Sequence, residues 1–295
     1  LCSCPHDLWL QPYLGWCYDT ACLESCVGGT HHLMEAKLDL EWNDDHVLPE
    51  VINPEVAFLF RRMSEVTYEK IHPKPGERIL DIGCGKATDG VELTRKGATV
   101  VGLEPSNVMV ASSLEYIAEN DANMMVVHGI GEHLPFKPGT FDKVCCKGSL
   151  DHFMDPSVSI GQMSTAVKPD GEVIIAIANF ESLGFKLGKT ICWLKGALGF
   201  GKVEGKMVWD TPDDHTCRFH YSNLKQMASA HLDIEQTTGV SLLFGVPWWG
   251  SFLTWCPDSI SNAILSSLDS IARYAPSISD VIVLRGKPKK GTTTA

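Results

Sequence analysis

The sequence predicts an α/β fold: a doubly wound, mostly parallel seven-stranded sheet of the Rossmann-like kind, with lid insertions and an N-terminal extension. Three observations predict it. Short apolar runs alternate with helical segments between residues 54 and 178, the rhythm of parallel strands joined by helical crossovers. Two glycines one residue apart, Gly83 and Gly85, stand where the first strand gives way to a helix. An acid, Glu104, closes the second strand 21 residues after Gly83.

The elements follow in order. Pro54 to Ile71 places Val56, Leu59, Phe60, Met63 and Val66 on one helical face, and His72-Pro73-Lys74-Pro75-Gly76 stops it. Arg78 to Ile82 is the first strand and Ala87 to Lys96 the next helix; Thr99 to Leu103 is the second strand, and Ser106 is placed to cap the helix that runs to Asn120. Met124 to Val127, Asp142 to Cys146 and Glu172 to Ile177 read as strands three to five, with a helix over Pro156 to Val167. The rhythm then breaks for about forty residues. A helix from Asn223 to His231 behind Ser222, an extended run Leu232 to Phe244, an aromatic loop from Val246 to Leu253, a helix from Ser259 to Tyr274 and a last strand Val281 to Leu284 complete the chain. The expected organisation is an acidic, cysteine-rich extension over residues 1–50 and a single domain over 51–295, with insertions at about 179–220 and 245–275.

Composition narrows the function classes. The 295 residues carry 25 Lys plus Arg against 36 Asp plus Glu, a net charge of −11, which argues against a nucleic-acid surface. Residues 1–45 hold eight acids and one base, so most of the net charge belongs to the extension. Of the 11 cysteines, Cys2, Cys4, Cys17, Cys22 and Cys26 lie there too. Their spacing matches no common metal pattern, even with His6, His31 and His32 nearby, so free thiols in a reduced, cytoplasmic setting and no metal are expected. The extension lacks the basic and apolar regions of a secretory signal. Gln236 to Pro257 runs 22 residues without a charge, but its glycines, prolines and hydroxyl residues favour a buried strand and loop over a membrane span.

The glycine turn carries the chemistry. Glycine lets the backbone bend sharply and approach a ligand, with a helix N-terminus behind it. An acid after the second strand can accept hydrogen bonds from both hydroxyls of a ribose. The third glycine of a dinucleotide fingerprint is replaced by Thr88, and Asp81 beside the turn would repel a pyrophosphate. A cationic nucleoside such as S-adenosylmethionine suits these residues better. A nicotinamide-dependent oxidoreductase remains one alternative, and a non-catalytic nucleoside-binding protein another.

These residues resemble the class I S-adenosylmethionine-dependent methyltransferases, in particular the small-molecule group containing the ubiquinone and menaquinone biosynthesis enzymes. The resemblance rests on ILDIGCG at 79–85, VVGLEPS at 100–106, GIGEHLPF at 129–136, FDKVCCKGSLDHFMDP at 141–156 and VKPDGEV at 167–173. It implies that Asp81, Gly83, Cys84 and Gly85 line the methionine part of the cofactor, that Glu104 holds the ribose and that Pro105 and Ser106 flank the adenine. Lys147 and Gly148 would lie beside the cofactor. The acidic residue usual in the adenine loop is absent, the pair there being Ile130-Gly131, so backbone groups or Glu132 would recognise the base.

Methyl transfer needs alignment first and a base only if the acceptor arrives protonated. Asp151 and His152, just past the fourth strand, are the candidates, with His215 reaching in from the segment that also holds Arg218, His220 and Tyr221. The acceptor is expected to be small and apolar or aromatic, methylated at oxygen or carbon. Leu183 to Phe200 combines Lys186, Lys189 and Lys195 with Leu187, Ile191, Trp193, Leu194, Leu198 and Phe200, a lid helix with peripheral membrane contact as the second reading. Trp248, Trp249, Phe252 and Trp255 are expected to pack in the core or to wall the acceptor.

Overall fold

A computed structural model describes residues 39–44, 52–199, 207–212 and 214–289. The cysteines of the extension and the N-terminal histidines lie outside the described residues. Seven strands form one sheet in the order β3-β2-β1-β4-β5-β7-β6. They are β1 (Arg78–Ile82), β2 (Thr99–Glu104), β3 (Met124–His128), β4 (Phe141–Lys147), β5 (Val167–Ala178), β6 (Leu232–Val240) and β7 (Val281–Pro288). The first five are mutually parallel, and β7 runs antiparallel between β5 and β6. The chain therefore doubles back at β1, whose neighbours are β2 and β4, and ligands of such sheets lie at the carboxyl ends of the strands beside that switch.

The strands are apolar on both sides because helices cover both faces. Ile79, Val100, Cys145 and Ile174 face one way, toward α1 (Pro54–Ile71) and Leu93 of α2 (Thr88–Arg95). Leu80, Ile82, Val144 and Ile175, one residue out of phase, face α4 (Pro156–Ala166) and α6 (Tyr221–His231). That alternation is the two-residue period of a strand. Helix α3 (Asn107–Glu119) packs beside β3 and α2. Its first turn is capped by Ser106, whose hydroxyl accepts from Met109 N, and Asn53 and Asp155 cap α1 and α4 in the same way.

Three local expectations are corrected. The cap of α6 is His220, whose Nδ1 accepts from Asn223 N while the Asn223 side chain accepts from His220 N; Ser222, a residue inside the helix, only donates to or accepts from that imidazole. The aromatic stretch expected as a loop forms helix α7 (Trp249–Trp255) after Val246 to Trp248, because Leu253 packs against Phe58 and Leu265 and Gly250 lets the helix approach Asn53 and Glu55. Strand β5 begins five residues early, at Val167, across a register shift opposite Phe141 and Lys143. Helices α5 (Leu183–Ala197) and α8 (Asp258–Ala272) fill the two insertions, and α8 packs on α1 and β6. Among the described residues no helix is long and apolar enough to cross a membrane.

Candidate active site

The turn after β1 is held by backbone bonds. Gly83 N and Cys84 N both donate to Leu103 O, at 2.8 and 3.1 Å, tying the loop to the end of β2. Gly83 has φ +68°, and a Cβ there would stand 2.4 Å from Ser149 Oγ, so both the backbone conformation and the packing require glycine. At Gly85 an added Cβ would meet only Met109 Cε, at 3.7 Å, so that side of the turn stays open.

Glu104 joins the two cofactor loops. Its Oε2 accepts from Gly85 N at 2.9 Å and its Oε1 from Ser106 N at 3.0 Å. The side chain is only 4% exposed, and burial pushes its pKa up against the pull of those two amides. A carboxylate offers about four lone-pair positions, so two amides leave capacity for ribose hydroxyls. Asp81 is buried in the same way, and desolvation together with the nearby Asp89 raises it to about 7. Cys145 Sγ donates to it at 3.5 Å. A buried carboxyl at the strand end suits the positively charged end of S-adenosylmethionine, since a nearby cation would offset its desolvation. The residues present thus fit that cofactor: glycine backbone for the methionine part, Asp81 for the cationic end and Glu104 for the ribose.

The other residues expected beside the cofactor make the following contacts. Lys147 Nζ bonds to Asp89 Oδ2 at 2.7 Å and to Ser64 Oγ at 2.8 Å, which ties it to α1 and α2. Gly148 N donates to Ala176 O at 2.8 Å. Cys84 is a buried thiol whose pKa is driven far up by desolvation and by Asp81, so it is no nucleophile. Gly131 packs against Phe153, where a Cβ would come within 2.6 Å of the ring. Glu132 Oε1 accepts from Asp155 N at 3.1 Å, so one oxygen of this candidate for the adenine amino group is already engaged. Pro105 O receives His128 Nε2 at 2.7 Å.

Past β4, a single 3₁₀ turn over Leu150–His152 carries the candidate acid and base. Asp151 is 4% exposed; burial and the Asp214 charge raise its carboxyl to about 7. His215 Nδ1 lies 3.2 Å from Asp151 Oδ2, and His152 Nε2 lies 3.9 Å from Oδ1, which accepts no hydrogen bond among the described residues. The two imidazoles meet edge to face at 4.6 Å. His215 is held there because Thr216 N and Cys217 N donate to Asp151 O and Thr216 Oγ1 donates to Phe153 O. The structure thus brings His215 to Asp151 and His152, more than sixty positions earlier in the chain. Arg218 instead lies 5.2 Å over the Phe180 ring, while His220 and Tyr221 begin α6.

Sequence reasoning missed Trp42. Its Nε1 donates to Asp214 Oδ2 at 2.9 Å, its ring lies 5.3 Å from His152, and its carbonyl accepts from Ser106 Oγ at 2.5 Å. One residue of the extension therefore spans from the cap of α3 to the histidine pair. Its only sequence signal is a large aromatic in an acidic stretch. The four aromatics expected in the core or around the acceptor do not behave as one group: Trp249 is half-buried, whereas Trp248, Phe252 and Trp255 are exposed.

A glycine turn after β1, a buried acid at the end of β2 and a polar cluster past β4 thus stand at the carboxyl ends of the strands of a doubly wound sheet. Residues 80–175 match the family described as a methyltransferase domain. A demethylmenaquinone methyltransferase from Corynebacterium kroppenstedtii is 32% identical over 111 residues, covering 38% of this chain and 46% of that one. A ubiquinone biosynthesis O-methyltransferase from Aeromonas salmonicida is 35% identical over 108 residues, 35% of this chain and 44% of the relative. The chain thus spans a little under half the length of these relatives. Among solved structures, an S-adenosylmethionine-dependent methyltransferase from Thermotoga maritima shares the fold with a TM-score of 0.50 at 18% identity, over 79% of this chain and 91% of that one.

Proposed function

We propose that the protein transfers a methyl group from S-adenosylmethionine to a small apolar or aromatic acceptor, at oxygen or carbon. The observation that carries this reading is Glu104 bridging Gly85 N and Ser106 N, which preorganises both nucleoside loops around one carboxylate. The names of the curated relatives, which act in quinone biosynthesis, support a ring-bearing acceptor.

The cofactor supplies an activated methyl on a sulfonium, whose carbon–sulfur bond breaks with the electron pair returning to sulfur. The chain's residues align the acceptor and take its proton. Asp151, buried between two imidazoles, stabilises the imidazolium that forms when His152 or His215 receives that proton, a step worth roughly 10²–10⁴ in rate. Trp42 and Phe180, whose rings lie 5.3 Å from His152 and 5.9 Å from His215, give the cluster an apolar flank. Peripheral contact with a membrane through the insertion that holds α5 is part of the same proposal.

Incubation with S-adenosylmethionine and a panel of phenols and quinols, following formation of S-adenosylhomocysteine, tests the reading. Turnover that His152→Ala or His215→Ala slows, without loss of cofactor affinity, supports it. Tight cofactor binding with no turnover across the panel would instead favour a non-catalytic nucleoside-binding protein.

A further inference from the structure

Two neighbouring elements carry large apolar side chains that nothing in the described structure covers. Trp248, Phe252 and Trp255 recur at intervals of four and three, one face of α7, and Trp248 and Trp255 are 67% and 88% exposed. The other face is buried, Gly250 and Leu253 turning toward α1 and α8. Trp248 caps α7 in a left-handed conformation, φ +64°, unfavourable for a residue with a Cβ, yet it presents its ring to solvent. On α5, Trp193 is 69% exposed, and Leu194 and the following Leu198 are exposed as well.

The two elements meet at Trp248. Trp248 and Pro247 line one groove with Ile191, Cys192 and Lys195 of α5. Gly188 lets α5 approach the chain before α7 so closely that a Cβ there would sit 3.1 Å from Gly245 O.

The charge around the patch selects its occupant. Lys186, Lys189 and Lys195 lie on α5, residues 183–200 contain no acid, and residues 236–257 contain no charge at all, although the chain as a whole carries −11. Tryptophan with flanking lysine is the chemistry of a bilayer interface: the indole sits at headgroup level and the ammonium meets anionic lipid. A two-fold contact with a second copy would set lysine-bearing faces against each other, which disfavours that occupant. We propose that α5 and α7 together form a docking surface for an anionic phospholipid bilayer. Resting on the methyltransferase reading, this would let an apolar acceptor enter from the lipid phase.

The test uses the full chain and sedimentation with phosphatidylcholine vesicles, with and without phosphatidylglycerol. Binding is expected only to the vesicles containing phosphatidylglycerol. Trp193→Ala with Trp255→Ala should weaken it by at least roughly tenfold. Lys189→Glu with Lys195→Glu should weaken it by roughly fivefold per lysine, and added salt should do the same. All four side chains are solvent-facing or partly so, and calorimetric binding of S-adenosylhomocysteine should be unchanged in both variants, so a failure here is distinguishable from failure of the cofactor assignment. No binding to anionic vesicles, or equal binding by the variants, would overturn the proposal. So would a concentration-dependent dimer that Trp255→Ala dissociates without any vesicle binding, which would give this face to a second copy.

Discussion

The proposed cofactor edge and the proposed acceptor edge of the same sheet are built in different ways. At the cofactor edge, Gly83, Gly85, Glu104 and Ser106 come from two successive strand-to-helix turns, and backbone amides satisfy the buried carboxylate. At the acceptor edge, Asp151 is flanked by His152 and His215 and overlooked by Trp42, three side chains from three distant segments. The first arrangement is fixed by backbone geometry, the second by long-range contacts of Trp42, His215 and Thr216. Damage to the cofactor edge should therefore appear as lost folding or binding, and damage to the acceptor edge as altered turnover.

The largest effect is expected at the turn. Gly83→Val combines a strained backbone with a collision against Ser149, and should destabilise the domain by about 2–4 kcal/mol. Denaturant unfolding measures it, and a wild-type midpoint would show that the turn is not constrained as described. Next, Glu104→Ala removes the shared acceptor of two amides and should weaken S-adenosylhomocysteine binding by roughly 1.5–3 kcal/mol in a folded protein; isothermal titration reads this directly.

That edge was legible in the sequence because its information is local. The spacing of Gly83, Gly85 and Glu104, the Ser106 cap and the alternation of strands are all carried within segments of a few tens of residues. His215 was legible only as a candidate, since its place beside Asp151 depends on Thr216 bonding back to a turn 65 residues earlier. Trp42 left only a large aromatic in an acidic stretch. The aromatics of α7 misled for a physical reason: a charge-free, tryptophan-rich run reads as buried, whereas a seven-residue helix has only one face to bury.

At the acceptor edge, Asp151→Asn should lower kcat by roughly 10–100-fold, with KM for S-adenosylmethionine little changed. The wild-type rate should rise with pH through about 7, as the buried Asp151 loses its proton and can hold an imidazolium. In the variant that limb of the pH–rate profile should disappear; its persistence would remove Asp151 from the step.

A smaller effect separates structural from chemical carboxylates. Glu55, where α1 begins, and Asp280, just before β7, are both buried, and burial raises each to about 7, Glu55 being raised further by the Asp280 charge. A carboxyl with a raised folded-state pKa stabilises the fold fully below its unfolded value and loses that contribution as pH rises through the folded one. Thermal stability should thus decline between about pH 4.5 and 7, and Glu55→Gln should flatten the decline by on the order of 1 kcal/mol. Unlike Asp151→Asn, it should leave the rate profile in place.

The cofactor assignment is tested most directly by calorimetric titration of the full chain with S-adenosylhomocysteine and, separately, with a nicotinamide dinucleotide. S-adenosylhomocysteine is expected to bind at a single site, and the dinucleotide is expected to give no saturable heat, because Asp81 and Thr88 stand where a pyrophosphate would need a neutral, glycine-lined turn. Saturable binding of the dinucleotide with none of S-adenosylhomocysteine would contradict the account.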